Sequence, residues 1–225
     1  MADNSGVPRV PRRLLVVPDH PHHLILRGNN RRRLFSYPRE YRYFLLGLLR
    51  AEQKYSLPVH TVALMSNHTH LIVTPQGHQH LSSFVRSFAQ TYSQFRNRNR
   101  SSSGKLFEER YKCVPIVSEK QMAVTNVYVE LNPVRADICA DPALYPWTTF
   151  ALHAALPCAE PLLAELWKPS SWYTSLGGSP AARAAVYREW FAHYRARDHW
   201  SDVWGLPKRA ADRKRFERPD RTKAI

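Results

Sequence analysis

"LMSNHTHLIVTPQGHQH", residues 64–80, holds two His-x-His pairs ten residues apart, His68/His70 and His78/His80. Two histidines one residue apart can share a metal ion or share nothing, and the local backbone separates the pairs. His68 runs into Leu71-Ile72-Val73-Thr74, an apolar, β-branched stretch that reads as a strand. Alternate strand side chains share a face, so His68 and His70 project together, about 7 Å apart along the chain. A metal ion fits between two such imidazoles, although exposed strand histidines are also common. His78-Gln79-His80 follows the turn cluster Pro75-Gln76-Gly77 and opens an apolar-periodic segment. At a helix start, residues two apart point in different directions, so the second pair reads as solvated polar residues.

The pattern around this stretch sets the fold expectation. Pro58–Met65 is a strand, and Ser66-Asn67 forms a tight turn into the His68 strand. Upstream, His22–Arg27 reads as a strand ended by Gly28-Asn29-Asn30, with Arg31, Arg32 and Arg33 in the following loop. Pro38 starts a helix reaching about Lys54, with Tyr41, Phe44, Leu45, Leu48 and Leu49 on one stripe. Leu81 to about Asn97 is a second helix, whose Leu81, Phe84, Val85, Phe88, Tyr92 and Phe95 stripe reads as core rather than as a base-stacking platform. Tyr111–Val117 is a further strand. Ser118 caps a helix from Glu119 towards Asn132, where Pro133 kinks or ends it. Strand, helix, paired strands, helix, strand, helix predicts an α+β fold of ferredoxin-like topology. The sheet is antiparallel or mixed, with helices on one face.

Residues 1–150 form the expected main domain. Residues 151–225 form a C-terminal extension with a helix from about Pro180 to Arg197. From Lys208 onward eight basic residues meet three acidic ones, a tail expected to be flexible, either clamping a polyanion or folding back over the site.

The composition narrows the partner. Hydrophobic residues make up 44% of 225, enough for a core. No apolar run approaches the roughly 18 residues of a membrane span, and MADNSGVPRVPRR has no signal-peptide core. Three widely spaced cysteines give no zinc framework and fit a reducing, cytoplasmic setting, here nucleoid-associated. A net charge of +15 makes nucleic acid the first expected partner. Between Arg86 and Lys112 seven basic residues face two acidic ones. Arg31, Arg32, Arg33, Arg96, Arg98, Arg100 and Lys112 are the candidate phosphate contacts.

Tyr128 and Asn132 are four apart on the last predicted helix and can face the same way. Read alone, Tyr128 is one of eleven tyrosines and fits a packing residue, and Asn132 fits a helix C-cap. A phenol beside a divalent ion that polarises a phosphoryl oxygen can also attack phosphorus.

Five segments in order, "HHLILRGNNRRRLF", "VALMSNHTHLIVTP", "GKLFEERYKCVPI", "YVELNPVRADI" and "YPWTTF", resemble the single-tyrosine HUH transposases, in particular the REP-associated tyrosine transposases. The resemblance covers about residues 8–150. It implies that His68 and His70 bind Mg²⁺ or Mn²⁺. Tyr128, at the head of the Y-x-x-x-N-P-V element, would attack single-stranded, hairpin-associated DNA to give a 5′-phosphotyrosine, in the service of DNA transposition. Relatives often carry Gln as third ligand where Asn132 stands, and an apolar residue where Thr69 stands. Thr69 is therefore expected to need a backbone partner for its hydroxyl. The longer chain leans towards a monomer over a homodimer. The alternatives are a catalytically silent hairpin-binding protein and a phosphodiesterase that uses water, with Tyr128 structural.

Overall fold

The computed structural model describes Pro11 and residues 14–108 and 110–195. The basic tail from Lys208 lies outside them. Four strands, β1 (His22–Arg27), β2 (Val59–Met65), β3 (His68–Val73) and β4 (Lys112–Pro115), form one sheet in the order β2-β3-β1-β4. Every neighbouring pair is antiparallel. With α1 (Pro38–Tyr55) after β1 and α2 (His78–Asn99) after β3, this is the ferredoxin-like order.

One face of the sheet is apolar. Leu24 and Leu26 of β1, Val62 and Leu64 of β2, and Leu71 and Val73 of β3 pack under α1 and α2. Phe44, Leu45 and Leu48 of α1 meet Phe84, Phe88 and Tyr92 of α2, so the aromatic stripe is core as expected. Tyr92 keeps its hydroxyl satisfied by donating to the Leu34 carbonyl at 2.7 Å.

The strands' other side chains point to the second face, which carries His23, Thr61, His70 and Ile72. A third helix, α3 (Glu119–Arg135), crosses it. Ser118 caps α3 by accepting from the Gln121 N–H, as its sequence position suggests. Asn126 ties the helix to the sheet through the Thr61 hydroxyl. Of the kink or end expected at Pro133, the helix does not end there: Pro133 lies inside it. A proline leaves the carbonyl four residues back without its donor. The Asn132 amide supplies one, donating to the Val129 carbonyl at 3.3 Å and to that of Tyr128 at 2.8 Å.

The chain after α3 covers the other side of that helix. Phe150, Ala154, Trp172, Tyr173, Tyr187 and Phe191 share a core with Val124, Val127 and Leu131. Within it Glu130 is fully buried. It accepts from Thr149 Oγ1 at 2.8 Å, from His153 Nδ1 at 2.8 Å and from Tyr187 Oη at 2.5 Å. The same stretch closes the sheet edge at β2, where the Leu64 N–H donates to the Trp147 carbonyl and the Thr149 N–H to that of Val62. Among the described residues no helix is long and apolar enough to cross a membrane.

Candidate active site

The two-residue turn between β2 and β3 places His68 at the start of β3, opposite Met65 on one side and Arg27 on the other. The pleat puts His68 and His70 on the face under α3, with ring centroids 4.9 Å apart. From α3 the Tyr128 ring meets His70 edge-on at 5.8 Å, within the same chain. A third histidine joins them. His23, diagonal to His70 across the β1–β3 ladder, places Nε2 at 2.9 Å from His70 Nδ1.

Burial keeps these rings neutral. It lowers His23 and His68 to about 4, Arg27 adding to the effect at His68. Burial, with His23, His68 and Arg27 adding, holds His70 well below its ordinary value. The Asn67 Oδ1 can only accept, so the 2.7 Å contact makes His68 Nδ1 the protonated nitrogen and leaves a lone pair on Nε2. His70 Nε2 is buried and has no hydrogen-bond partner. Two neutral imidazoles on one strand face, one with an orphaned nitrogen, can ligate a divalent cation, with oxygen ligands completing its shell. Among the described residues no group of three His, Cys, Asp or Glu side chains is arranged to hold one metal ion together. Further ligands to such an ion would be amide, water or phosphate oxygens.

Burial raises the Tyr128 phenol above its usual value, opposed by Arg135 and then Arg27. The Arg135 guanidinium lies over the Tyr128 ring, 5.5 Å from its centroid.

A family model for IS200-like transposases matches residues 16–132, just over half of the chain and all three histidines with the tyrosine. The chain belongs to the IS200-like transposase family. It is an enzyme of DNA transposition, of the single-tyrosine HUH class. Among solved structures it is similar to a REP-associated tyrosine transposase bound to a REP hairpin. That match has 15% identity and TM-score 0.56, covering 74% of this chain and 92% of that one. It is less similar to a protein assigned as a transposase in Deinococcus radiodurans R1. There the identity is 19% and the TM-score 0.37, with 58% of this chain and 96% of that one covered. No curated protein matches the chain.

The transposase's remaining expected residues divide. Arg31, Arg33 and Arg98 are exposed, as is Lys112, and Arg32 is half-buried. Arg96 corrects the expectation of a phosphate contact. It is 5% exposed, and its guanidinium holds the Leu34 carbonyl at 3.1 Å and Glu40 at 3.2 Å, so it is internal scaffolding. Arg100 is partly accessible but is also bound through two nitrogens to Glu40, at 3.2 and 2.9 Å. The Asn132 amide nitrogen is turned onto its own helix; the oxygen takes no part in those two bonds. Thr69 is fully buried, and its hydroxyl lacks the expected partner. In the second pair, His80 spends both nitrogens on backbone, accepting from the Gln76 N–H at 3.1 Å and meeting the Tyr55 carbonyl at 2.5 Å.

Sequence reasoning missed His23 and Arg27. Both stand on the same β1 face as the site, and period two from the β1 register with β3 is the signal that finds them. Gly28 then lets the chain turn away. A Cβ there would stand 2.2 Å from the Arg32 carbonyl oxygen.

Proposed function

We propose that this transposase cleaves and rejoins single-stranded DNA through Tyr128. Tyr128 Oη attacks the scissile phosphorus, and the bond to the 3′ oxygen breaks. The phenol gives up its proton, the leaving oxygen takes one up, and a 5′-phosphotyrosine and a free 3′-OH result. The phosphotyrosine conserves the bond energy, so a second 3′-OH reverses the step and exchanges strands. Arg135 and Arg27 favour the phenolate that develops at Tyr128. His68 and His70, with Asn132 as the candidate third ligand, would hold Mg²⁺ or Mn²⁺. When bound, such an ion would neutralise charge at the phosphoryl oxygens. The observation that carries this reading is the buried, orphaned His70 Nε2, on a ring that packs against both His68 and Tyr128.

The substrate is hairpin-associated single-stranded DNA of the REP type. The net charge of +15 and the exposed Arg31, Arg33, Arg98 and Lys112 support backbone contact. The similar structure that holds a REP hairpin supports the hairpin. Tyr128 stands against the histidines of its own chain, which favours a monomer.

The test incubates the protein and its Tyr128→Phe variant with labelled hairpins from the flanks of its own gene, in Mn²⁺ or EDTA. A denaturing gel should show a shifted covalent band only for the wild type with Mn²⁺. Cleaved strand without that band would instead assign the attack to water.

A further inference from the structure

We propose that His23 is a positioning residue that holds His70 in the tautomer able to bind a cation. This rests on the reading of His68 and His70 as ligands. A neutral imidazole has one N–H and one lone pair. The His23 and His70 rings are nearly coplanar, 18° apart, and meet edge to edge through His23 Nε2 and His70 Nδ1 at 2.9 Å. One of those two nitrogens carries the shared proton.

If His23 donated, His70 would carry its own proton on Nε2. That N–H would be buried with no acceptor, on a ring beside His68 and within the field of the Arg27 cation. A buried donor without a partner is destabilising. If His70 donates from Nδ1, Nε2 keeps a lone pair, and the nearby positive charge opposes nothing. His68 is fixed in the same way by Asn67. Both rings then turn Nε2 to the same strand face, each braced by a hydrogen bond from Nδ1. A ligating histidine is commonly braced like this, and the brace sets ring orientation and basicity as well as tautomer. His23 is 3% exposed, bonded to His70 and edge-on to the Tyr128 ring at 6.1 Å, so its test must separate an effect on His70 from one on Tyr128.

The test uses the full-length protein without DNA. Long-range ¹H–¹⁵N spectra of histidine-labelled protein at pH 7 should show His70 protonated at Nδ1. Mn²⁺ binding, followed by electron paramagnetic resonance, should weaken about 10–100-fold in His23→Phe. It should stay within about threefold in His23→Gln, whose amide oxygen can accept from Nδ1. A His70 proton on Nε2 overturns the inference, as does a folded His23→Phe that binds like the wild type. Loss in His23→Gln as large as in His23→Phe overturns it too, because shape rather than the acceptor would then matter. Should His23→Phe fail to fold, the wild-type spectrum and His23→Gln decide. A wild-type protein that takes no Mn²⁺ but shows the Nδ1 proton fails the metal reading itself, and with it the role of His23; a wild-type protein that takes Mn²⁺ with the proton on Nε2 fails this inference alone.

Discussion

Two polar clusters lie two residues apart on α3 and are built on opposite plans. At Glu130 every carboxylate contact is a donor brought in from another element, namely Thr149, His153 and Tyr187. At Tyr128 the facing histidine keeps a buried nitrogen with nothing to bond. The first cluster satisfies and closes around its carboxylate, though His153 Nε2 behind it is buried without a partner, and it clamps the helix between the sheet and the C-terminal segments. The second is open, and its cost is borne because the first holds the helix still. A helix anchored at a carboxylate two residues away is what a nucleophile needs if it is to meet a phosphate without rearrangement.

Breaking the closed cluster should have the largest effect on stability. Glu130→Ala strands the His153 and Tyr187 donors and leaves Thr149 only the Val62 carbonyl at 3.4 Å, and should cost about 3–5 kcal/mol in urea unfolding. Breaking the open cluster should do the reverse. His68→Ala should reduce Mn²⁺-dependent strand cleavage at least about 100-fold. Its unfolding free energy should change by less than about 1 kcal/mol, since the ring is only partly buried.

Acid should sharpen the contrast. Burial holds His22, His23 and His60 below their ordinary value of 6.5, His23 at about 4. Below pH 6.5 the unfolded chain therefore binds more protons than the folded one, and stability falls as pH falls, the His23 contribution running down to about pH 4. Thermal unfolding should drop by about 5 °C or more between pH 7 and pH 5. A flat profile would mean that these rings are not held neutral. The smallest effect belongs to Thr69, whose buried hydroxyl has no partner on the apolar face. Thr69→Val keeps the shape and removes the orphan, and should stabilise the protein by about 1 kcal/mol while leaving cleavage unchanged.

Much of this was legible in the chain. Period two through His68-Thr69-His70 puts both histidines on one face, and the strand and helix order gives the ferredoxin-like sheet. What could not be read depends on partners distant in sequence. His23 meets His70 only through the register of β1 on β3. Arg96 looks like a surface cation until α1 brings Glu40 beneath it. Pro133 looks like a kink or a stop because nothing in the spacing reveals that the Asn132 amide will serve the carbonyl the proline leaves bare. The covering of α3 hangs on His153 and Tyr187, which come from separate helices.

The central claim, that Tyr128 is the nucleophile, is most directly tested by mass spectrometry of protein trapped with a hairpin oligonucleotide in Mn²⁺ and then digested with protease and nuclease. The account predicts a single modified peptide carrying a 5′-nucleotide phosphate on Tyr128. A phosphate on any other residue, or cleaved strand with every tyrosine unmodified, would contradict it.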